Sequence, residues 1–219
     1  MKLSCLLEEM EYECVQGTLD REITTLVYDS RKVEKDSAFV CISGAVCEGH
    51  DFAQEVAKKG AAVLFIEKDV EVPEDVTVIR VQNTRLALAQ TSAAYFRHPA
   101  KELITIGITG TKGKTTATYM VRSILEASGF KTGLIGTIET IIGEEKIPSA
   151  NTTPESYVVQ ESFRKMADAG CKCVVMEVSS QGLMLHRVGG FIFDYGIFTN
   201  LEPDHIGPNE HKDLQEYIN

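Results

Sequence analysis

The sequence predicts an α/β protein in two parts: a small N-terminal α/β domain over residues 1–98, and a mostly parallel, phosphate-loop-type α/β domain over residues 99–219. Two observations carry this. Short runs rich in β-branched and apolar residues alternate with longer stretches whose apolar residues recur at helical spacing, the pattern of strands joined by crossover helices. One such run, Leu103 to Ile108, feeds the Gly-rich turn Thr109-Gly110-Thr111-Lys112-Gly113-Lys114-Thr115-Thr116, and a helical stretch follows at once.

In the first part, Ile23 to Tyr28 and Ala38 to Ile42 read as short strands. Asp51 to Lys59 reads as a helix ending at Gly60, with two lysines in its last turn. Ala62 to Ile66 and Val76 to Val81 are short apolar runs suited to buried strands. Thr84 to Phe96 places Leu86, Leu88, Ala89, Ala93, Tyr95 and Phe96 at helical spacing, and His98-Pro99-Ala100-Lys101 is the candidate linker. In the second part, the Gly-rich turn opens a helix over Lys114 to Ala127. Gly133 to Gly136 lies at a strand, Pro154 to Ala169 reads as a helix, and Cys173 to Val178 and Phe191 to Phe198 read as further strands. Leu214, Tyr217 and Ile218 are spaced like the start of an amphipathic helix that stops at Asn219, so the expectation is a truncated second domain.

Composition bounds the function. The chain is 43% hydrophobic and 25% charged, the mix of a globular protein. Lys and Arg total 22 against 32 Asp and Glu, a net charge of -10, which disfavours nucleic acid or an anionic membrane as partner. The N-terminus, interrupted by Glu8, Glu9, Glu11 and Glu13, has no apolar signal region, and no stretch is long and apolar enough to span a bilayer, so a cytoplasmic protein is expected. The six cysteines fit no metal or redox spacing, and no disulfide framework is expected in a reducing compartment. Alternation at Cys171 and Cys173 suggests one thiol packed inward and one outward.

The Gly-rich turn is the strongest chemical signal. A strand, a tight turn and a helix N-terminus aim backbone N–H groups and the positive end of the helix dipole at one point, which suits a nucleoside triphosphate. Gly110 and Gly113 let the backbone approach phosphate oxygens, Lys114 would neutralise β/γ-phosphate charge, and the Thr115 hydroxyl would ligate Mg²⁺. The spacing is not the common phosphate-loop one: Gly110 stands only three positions before Gly113. Glu177 ends an apolar strand where ligands bind in α/β sheets, and suits a second Mg²⁺ contact; a solvated strand-end acid would read the same way. His205, after Asp204, can ligate a metal or simply face solvent. Asp29-Ser30-Arg31 can hold a phosphate or carboxylate, or be a polar strand end.

The turn Gly110-Thr111-Lys112-Gly113-Lys114-Thr115-Thr116 resembles that of the Mur ligase family, and other segments match in order. Asp29-Ser30-Arg31, Phe39-Val40, Gly44 and Gly49-His50-Asp51-Phe52 resemble the family's uridine-nucleotide-binding N-terminal domain. Asn151-Thr152-Thr153-Pro154 resembles a substrate-contacting turn, Glu177 to Leu183 with His186-Arg187 resembles the next site segment, and Phe198-Thr199-Asn200-Leu201 with Asp204-His205 resembles the metal-binding segment. The closest branch adds the third amino acid of the peptide.

The resemblance implies an ATP-dependent amide ligase of peptidoglycan precursor synthesis. ATP would phosphorylate the D-Glu side-chain carboxylate of UDP-MurNAc-L-Ala-D-Glu, and the amine of a diamino acid would attack the acyl phosphate. Lys114, Glu177 and His205 would be catalytic, with Thr115, Glu177 and His205 around Mg²⁺. Ser30, Ala45, Val46 and Cys47 would contact the UDP end, and Asn151, Thr152, Thr153, Ser179 and Arg187 the muramoyl-dipeptide.

Leu185 departs from a polar substrate contact of the family, and the loop Ile206 to His211 is two residues longer than its pattern. The family's carbamylated lysine would fall beyond Asn219, as would the domain that binds the diamino acid, so the fragment is expected not to turn over unaided. Two other readings are a related amide ligase such as a folylpolyglutamate synthetase, which the Asp29-Ser30-Arg31 module argues against, and a nucleotide-binding module without catalysis.

Overall fold

The computed structural model describes residues 1–44, 47–202, 212, 213 and 215. The chain forms two compact units, Met1–Tyr95 and Phe96–Asn219, dividing just before the linker expected at His98.

The first unit contains α1 (Leu3–Leu6), β1 (Glu13–Gln16), β2 (Leu26–Val27), β3 (Ser37–Val40), α2 (Ala53–Lys59), β4 (Ala61–Ile66), β5 (Thr77–Arg80) and α3 (Thr84–Tyr95). Its sheet runs β1-β5-β4-β3-β2, parallel except for β1. Every residue of β3 and β4 is buried, as expected of strands covered on both faces. Strand β2 is shorter than its apolar run, and β1 escaped the sequence reading: Glu13-Cys14-Val15-Gln16 lies on an edge, largely exposed, so no core-facing pattern marks it.

The second unit contains β6 (Ile104–Thr109), α4 (Lys114–Ala127), β7 (Thr132–Ile135), β8 (Glu139–Ile142), β9 (Glu145–Pro148), α5 (Ser156–Asp168), β10 (Cys173–Glu177), α6 (Ser180–Met184) and β11 (Tyr195–Phe198). Its sheet runs β11-β6-β10-β7-β8-β9, with β11, β6, β10 and β7 parallel and the β8–β9 hairpin antiparallel at one edge. From β6 the chain crosses to β7 on one side. From β10 it crosses to β11 on the other, so β6 and β10 flank the point where the winding reverses.

One face of β10 packs on Val159, Phe163 and Met166 of α5, with Ile135 in the same core. Phe163, Phe191 and Phe193 stack edge to face there, at centroid distances of 5.1 and 4.9 Å. Gly107 makes room for this stack, because a Cβ would meet the Phe193 ring at 3.1 Å. Cys171 and Cys173 are both buried, which corrects the inward–outward expectation: Cys171, just before β10, packs in the core with Val174 and Met176, and Cys173 opens β10, a central strand buried along its length. Leu214, Tyr217 and Ile218 lie outside the described residues.

Candidate nucleotide and substrate site

Parallel strands put all their C-terminal ends on one edge, and register does the rest. Glu177 lies opposite Ile108, and Phe198 opposite Thr109. The Gly-rich turn after β6, the carboxylate ending β10, the turn after β7 and the segment after β11 therefore emerge side by side.

The turn is held in an uncommon backbone. Gly110 and Gly113 have φ of 129° and 82°, the left-handed region that glycine tolerates and side chains resist. Gly113 caps α4, and Lys114 and Thr115 begin it. The Lys114 ammonium folds over the turn and donates to the carbonyls of Gly110 (2.6 Å) and Thr111 (3.0 Å). Thr116 follows in the first turn of α4. Thr111 and Lys112 are fastened to residues 199–202: the Lys112 ammonium meets Glu202 at 2.5 Å, and the Glu202 N–H donates to the Thr111 hydroxyl at 2.9 Å.

Glu177 is 1% exposed, and its carboxylate is surrounded by donors. The Thr115 hydroxyl donates to Oε2 at 2.9 Å; the Thr137 N–H donates to Oε1 at 2.9 Å and the Thr137 hydroxyl to Oε2 at 3.1 Å. The solvated strand-end alternative is thereby excluded. Thr137 was absent from the sequence reading, although its place just after Gly136 at the end of a parallel strand was a legible signal. Its hydroxyl also bonds that of Thr152 at 3.0 Å, tying the carboxylate to the Asn151-Thr152-Thr153-Pro154 turn. On α4, Tyr119 donates to Glu139 at 2.9 Å, and burial, then this bond, pushes its phenol up.

Thr153 is buried and organises the next segment. Its hydroxyl donates to the Glu177 carbonyl at 3.0 Å and accepts the Ser179 N–H at 2.9 Å. Ser179 caps α6 by accepting the Gly182 N–H at 3.0 Å. Arg187 donates through Nη1 to the Thr153 carbonyl at 3.1 Å and lies 3.7 Å from Glu155. It is the Nε that faces Glu155 at that distance, buried and too far from the carboxylate to hydrogen-bond. Asn151 is exposed beside this cluster. His205 lies outside the described residues. The hydroxyl and carboxylate oxygens of Thr115 and Glu177 are hard donors of the kind Mg²⁺ selects.

Two family profiles match the chain: one described as the Mur ligase middle domain over residues 108–219, and one as the Mur ligase family, catalytic domain, over residues 22–96. The chain belongs to the Mur ligase family. It is 48% identical, over 219 residues, to the UDP-N-acetylmuramoyl-L-alanyl-D-glutamate--2,6-diaminopimelate ligase of Clostridium perfringens (strain 13 / Type A), covering 100% of this chain and 45% of that protein. It is 47% identical over 218 residues to the enzyme of that name from Bacillus velezensis (strain DSM 23117 / BGSC 10A6 / LMG 26770 / FZB42), covering 99% and 44%. The chain thus spans somewhat under half the length of these relatives. A solved structure of a protein bearing the same ligase name superposes with a TM-score of 0.80 at 22% identity, over 99% of this chain and 43% of that one. A MurF ligase from Thermotoga maritima in complex with ADP gives a TM-score of 0.56 at 18% identity, over 89% and 41%. Both show the fold.

In the N-terminal unit of this Mur ligase chain, Asp29 caps a 3-10 turn over Ser30–Lys32. Asp29 also grips Arg31, accepting from Nε at 2.9 Å and Nη2 at 2.7 Å. That bond to Arg31, above all, draws the Asp29 carboxyl down to about 2. The Ser30 carbonyl accepts from the Lys59 ammonium at 3.1 Å. Cys47 is exposed, with its carbonyl accepting the Gly44 N–H at 2.9 Å; Ala45 and Val46 lie outside the described residues.

A second network in this unit was not read from the sequence. Glu48 joins the Lys68 ammonium (2.6 Å), His50 Nδ1 (2.6 Å) and the Ser43 hydroxyl (3.0 Å). Buried His50 accepts the Glu67 N–H on Nε2 at 2.9 Å, so Nδ1 carries the proton it donates to Glu48. Lys68 first, then His50, holds the Glu48 carboxyl at about 2. Among the described residues no helix is long and apolar enough to cross a membrane.

Proposed function

We propose that the chain carries the uridine-nucleotide-binding and ATP-binding parts of an ATP-dependent amide ligase of peptidoglycan precursor synthesis. The whole enzyme would join a diamino acid to UDP-MurNAc-L-Ala-D-Glu. Relatives 42–48% identical are named for 2,6-diaminopimelate, which makes that the diamino acid of choice. The domain partition assigns residues 1–98 to the UDP-sugar and 99–219 to ATP.

The observation that carries this reading is the trio at the sheet edge: Lys114 folded over the Gly-rich turn, the Thr115 hydroxyl, and the buried Glu177 that it contacts at 2.9 Å. A carboxylate is a poor electrophile, and phosphorylation by ATP supplies it with a leaving group. The D-Glu carboxylate oxygen attacks the γ-phosphorus and expels ADP. The neutral amine then adds to the acyl carbon, inorganic phosphate leaves, and the amine's extra proton passes to solvent or a base. Because phosphoryl transfer needs positioning and charge neutralisation, Lys114 and the first turn of α4 hold the phosphates. Thr115 and Glu177, with His205, would hold Mg²⁺, which when bound neutralises charge developing on the phosphates. Arg187, with Thr152, Thr153, Ser179 and Asn151, would meet the carboxylate and amide groups of the muramoyl-dipeptide. Ser30, Ala45, Val46 and Cys47 would meet the UDP end.

Titration calorimetry with Lys114→Ala tests the assignment. ATP binding should be lost while UDP-MurNAc-L-Ala-D-Glu binding stays, because the two nucleotides are assigned to different units. Equal loss of both ligands in a folded variant would refute the partition.

A further inference from the structure

The phosphate loop departs from the usual glycine spacing, and only residues 110–113 join β6 to α4. The structure shows what closes it. The Thr111 N–H donates to the Asn200 carbonyl at 3.0 Å, and the Lys112 N–H donates to Asn200 Oδ1 at 2.9 Å. Asn200 Nδ2 returns a bond to the Lys112 carbonyl at 3.0 Å, and the Thr199 hydroxyl donates to the same carbonyl at 2.8 Å. The Asn200 amide thus pairs with both the N–H and the carbonyl of Lys112.

Gly110 belongs to the same arrangement. A Cβ there would strike the Thr199 hydroxyl and come within 2.8 Å of the Asn200 carbonyl oxygen, whereas a Cβ on Gly113 would meet nothing within 4 Å. Glycine at 110 thus lets residues 199–200 lie against the turn, a constraint beside the close phosphate approach expected of it. Two of the loop's N–H groups point at Asn200, so phosphate recognition falls to Gly113, Lys114 and the first turn of α4.

We propose that Asn200, seconded by Thr199, is a positioning residue that staples the short loop into its phosphate-binding shape without touching the nucleotide. The proposal rests on the ATP reading above for its functional consequence, but not for the staple itself.

The test uses the full 219-residue chain as wild type, Asn200→Ala and Thr199→Val. Amide exchange by NMR reads the staple with no ligand present, and calorimetry reads ATP affinity. In Asn200→Ala the Lys112 amide should exchange about tenfold faster while the melting midpoint holds, and ATP should bind about tenfold more weakly. Thr199→Val should move ATP affinity in the same direction by a smaller factor, and it decides the matter should Asn200→Ala fail to fold. Unchanged Lys112 exchange, or unchanged ATP affinity in both folded variants, would overturn the proposal. Wild-type chain that fails to bind ATP would sink the nucleotide reading, with the exchange result still deciding whether Asn200 staples the loop.

Discussion

Replacing Gly136 by alanine tests how tightly the turn after β7 is built against Glu177. A Cβ at Gly136 would strike Glu177 Oε1 and lie 3.1 Å from Cδ and 3.3 Å from Cγ. The carboxylate has nowhere to go: it is 1% exposed and held by Thr115 and by both donors of Thr137. Overpacking of this kind costs about 1–3 kcal/mol. Gly136 is not among the positive-φ glycines, so its backbone accepts alanine, and with the clash removed the substitution should instead stabilise by about 0.4–1 kcal/mol through the unfolded chain. Gly136→Ala should therefore destabilise the wild type and mildly stabilise Glu177→Ala, a coupling of roughly 1.5–4 kcal/mol in a double-mutant cycle. Because the chain has two units, the readout is native-state amide exchange along β10, which reports the second unit alone. Additivity within about 0.5 kcal/mol would show that the turn and the carboxylate are not in contact.

Further outcomes follow from the same geometry. Thr137→Val should weaken Mn²⁺ binding, followed by EPR as a stand-in for Mg²⁺, by about tenfold, and Thr137→Ser should restore it, since a partner that orients a metal-binding carboxylate is worth that much. In the first unit, Glu48 titrates near 2 in the folded chain against 4.5 when unfolded, so the unfolded state takes up the proton first. Its stabilising contribution is complete above about 4.5 and is lost as pH falls toward about 2; Glu48→Gln should flatten stability against pH in that window, measured by urea melts. Cys5, Cys14 and Cys47 are exposed and should react rapidly with a thiol reagent. Cys41, whose thiol burial pushes up to about 12, and buried Cys171 and Cys173 should react only on unfolding.

Much of the fold was legible because parallel strands and crossover helices write strong periodicities. Helix α4 falls on the stretch read from Lys114 to Ala127, and β4, β5, β6 and β10 fall within a residue or two of their apolar runs. What escaped has a physical reason. The β8–β9 hairpin mixes Glu139, Glu145 and Lys146 with isoleucines; the buried run of β8 is only three residues long and β9, at the sheet edge, is exposed throughout, so the pattern is too short to announce it. At the site, Lys114, Thr115 and Glu177 were legible because a strand-loop-helix unit and a strand-end acid are local patterns. Thr137 carried only the weak signal of following a strand, and Asn200's bonds to Thr111 and Lys112 carried none, because both contacts depend on register between strands far apart in the chain.

The central claim is that this chain recognises the muramoyl-peptide nucleotide as well as ATP. Calorimetric titration with UDP-MurNAc-L-Ala-D-Glu, with UDP and a folate as controls, tests it most directly. Saturable binding of the muramoyl nucleotide, tighter than UDP and absent for the folate, is the predicted result. A folded sample that binds the folate, or that binds the muramoyl nucleotide no better than UDP, would contradict the account and favour another branch of ATP-dependent amide ligases.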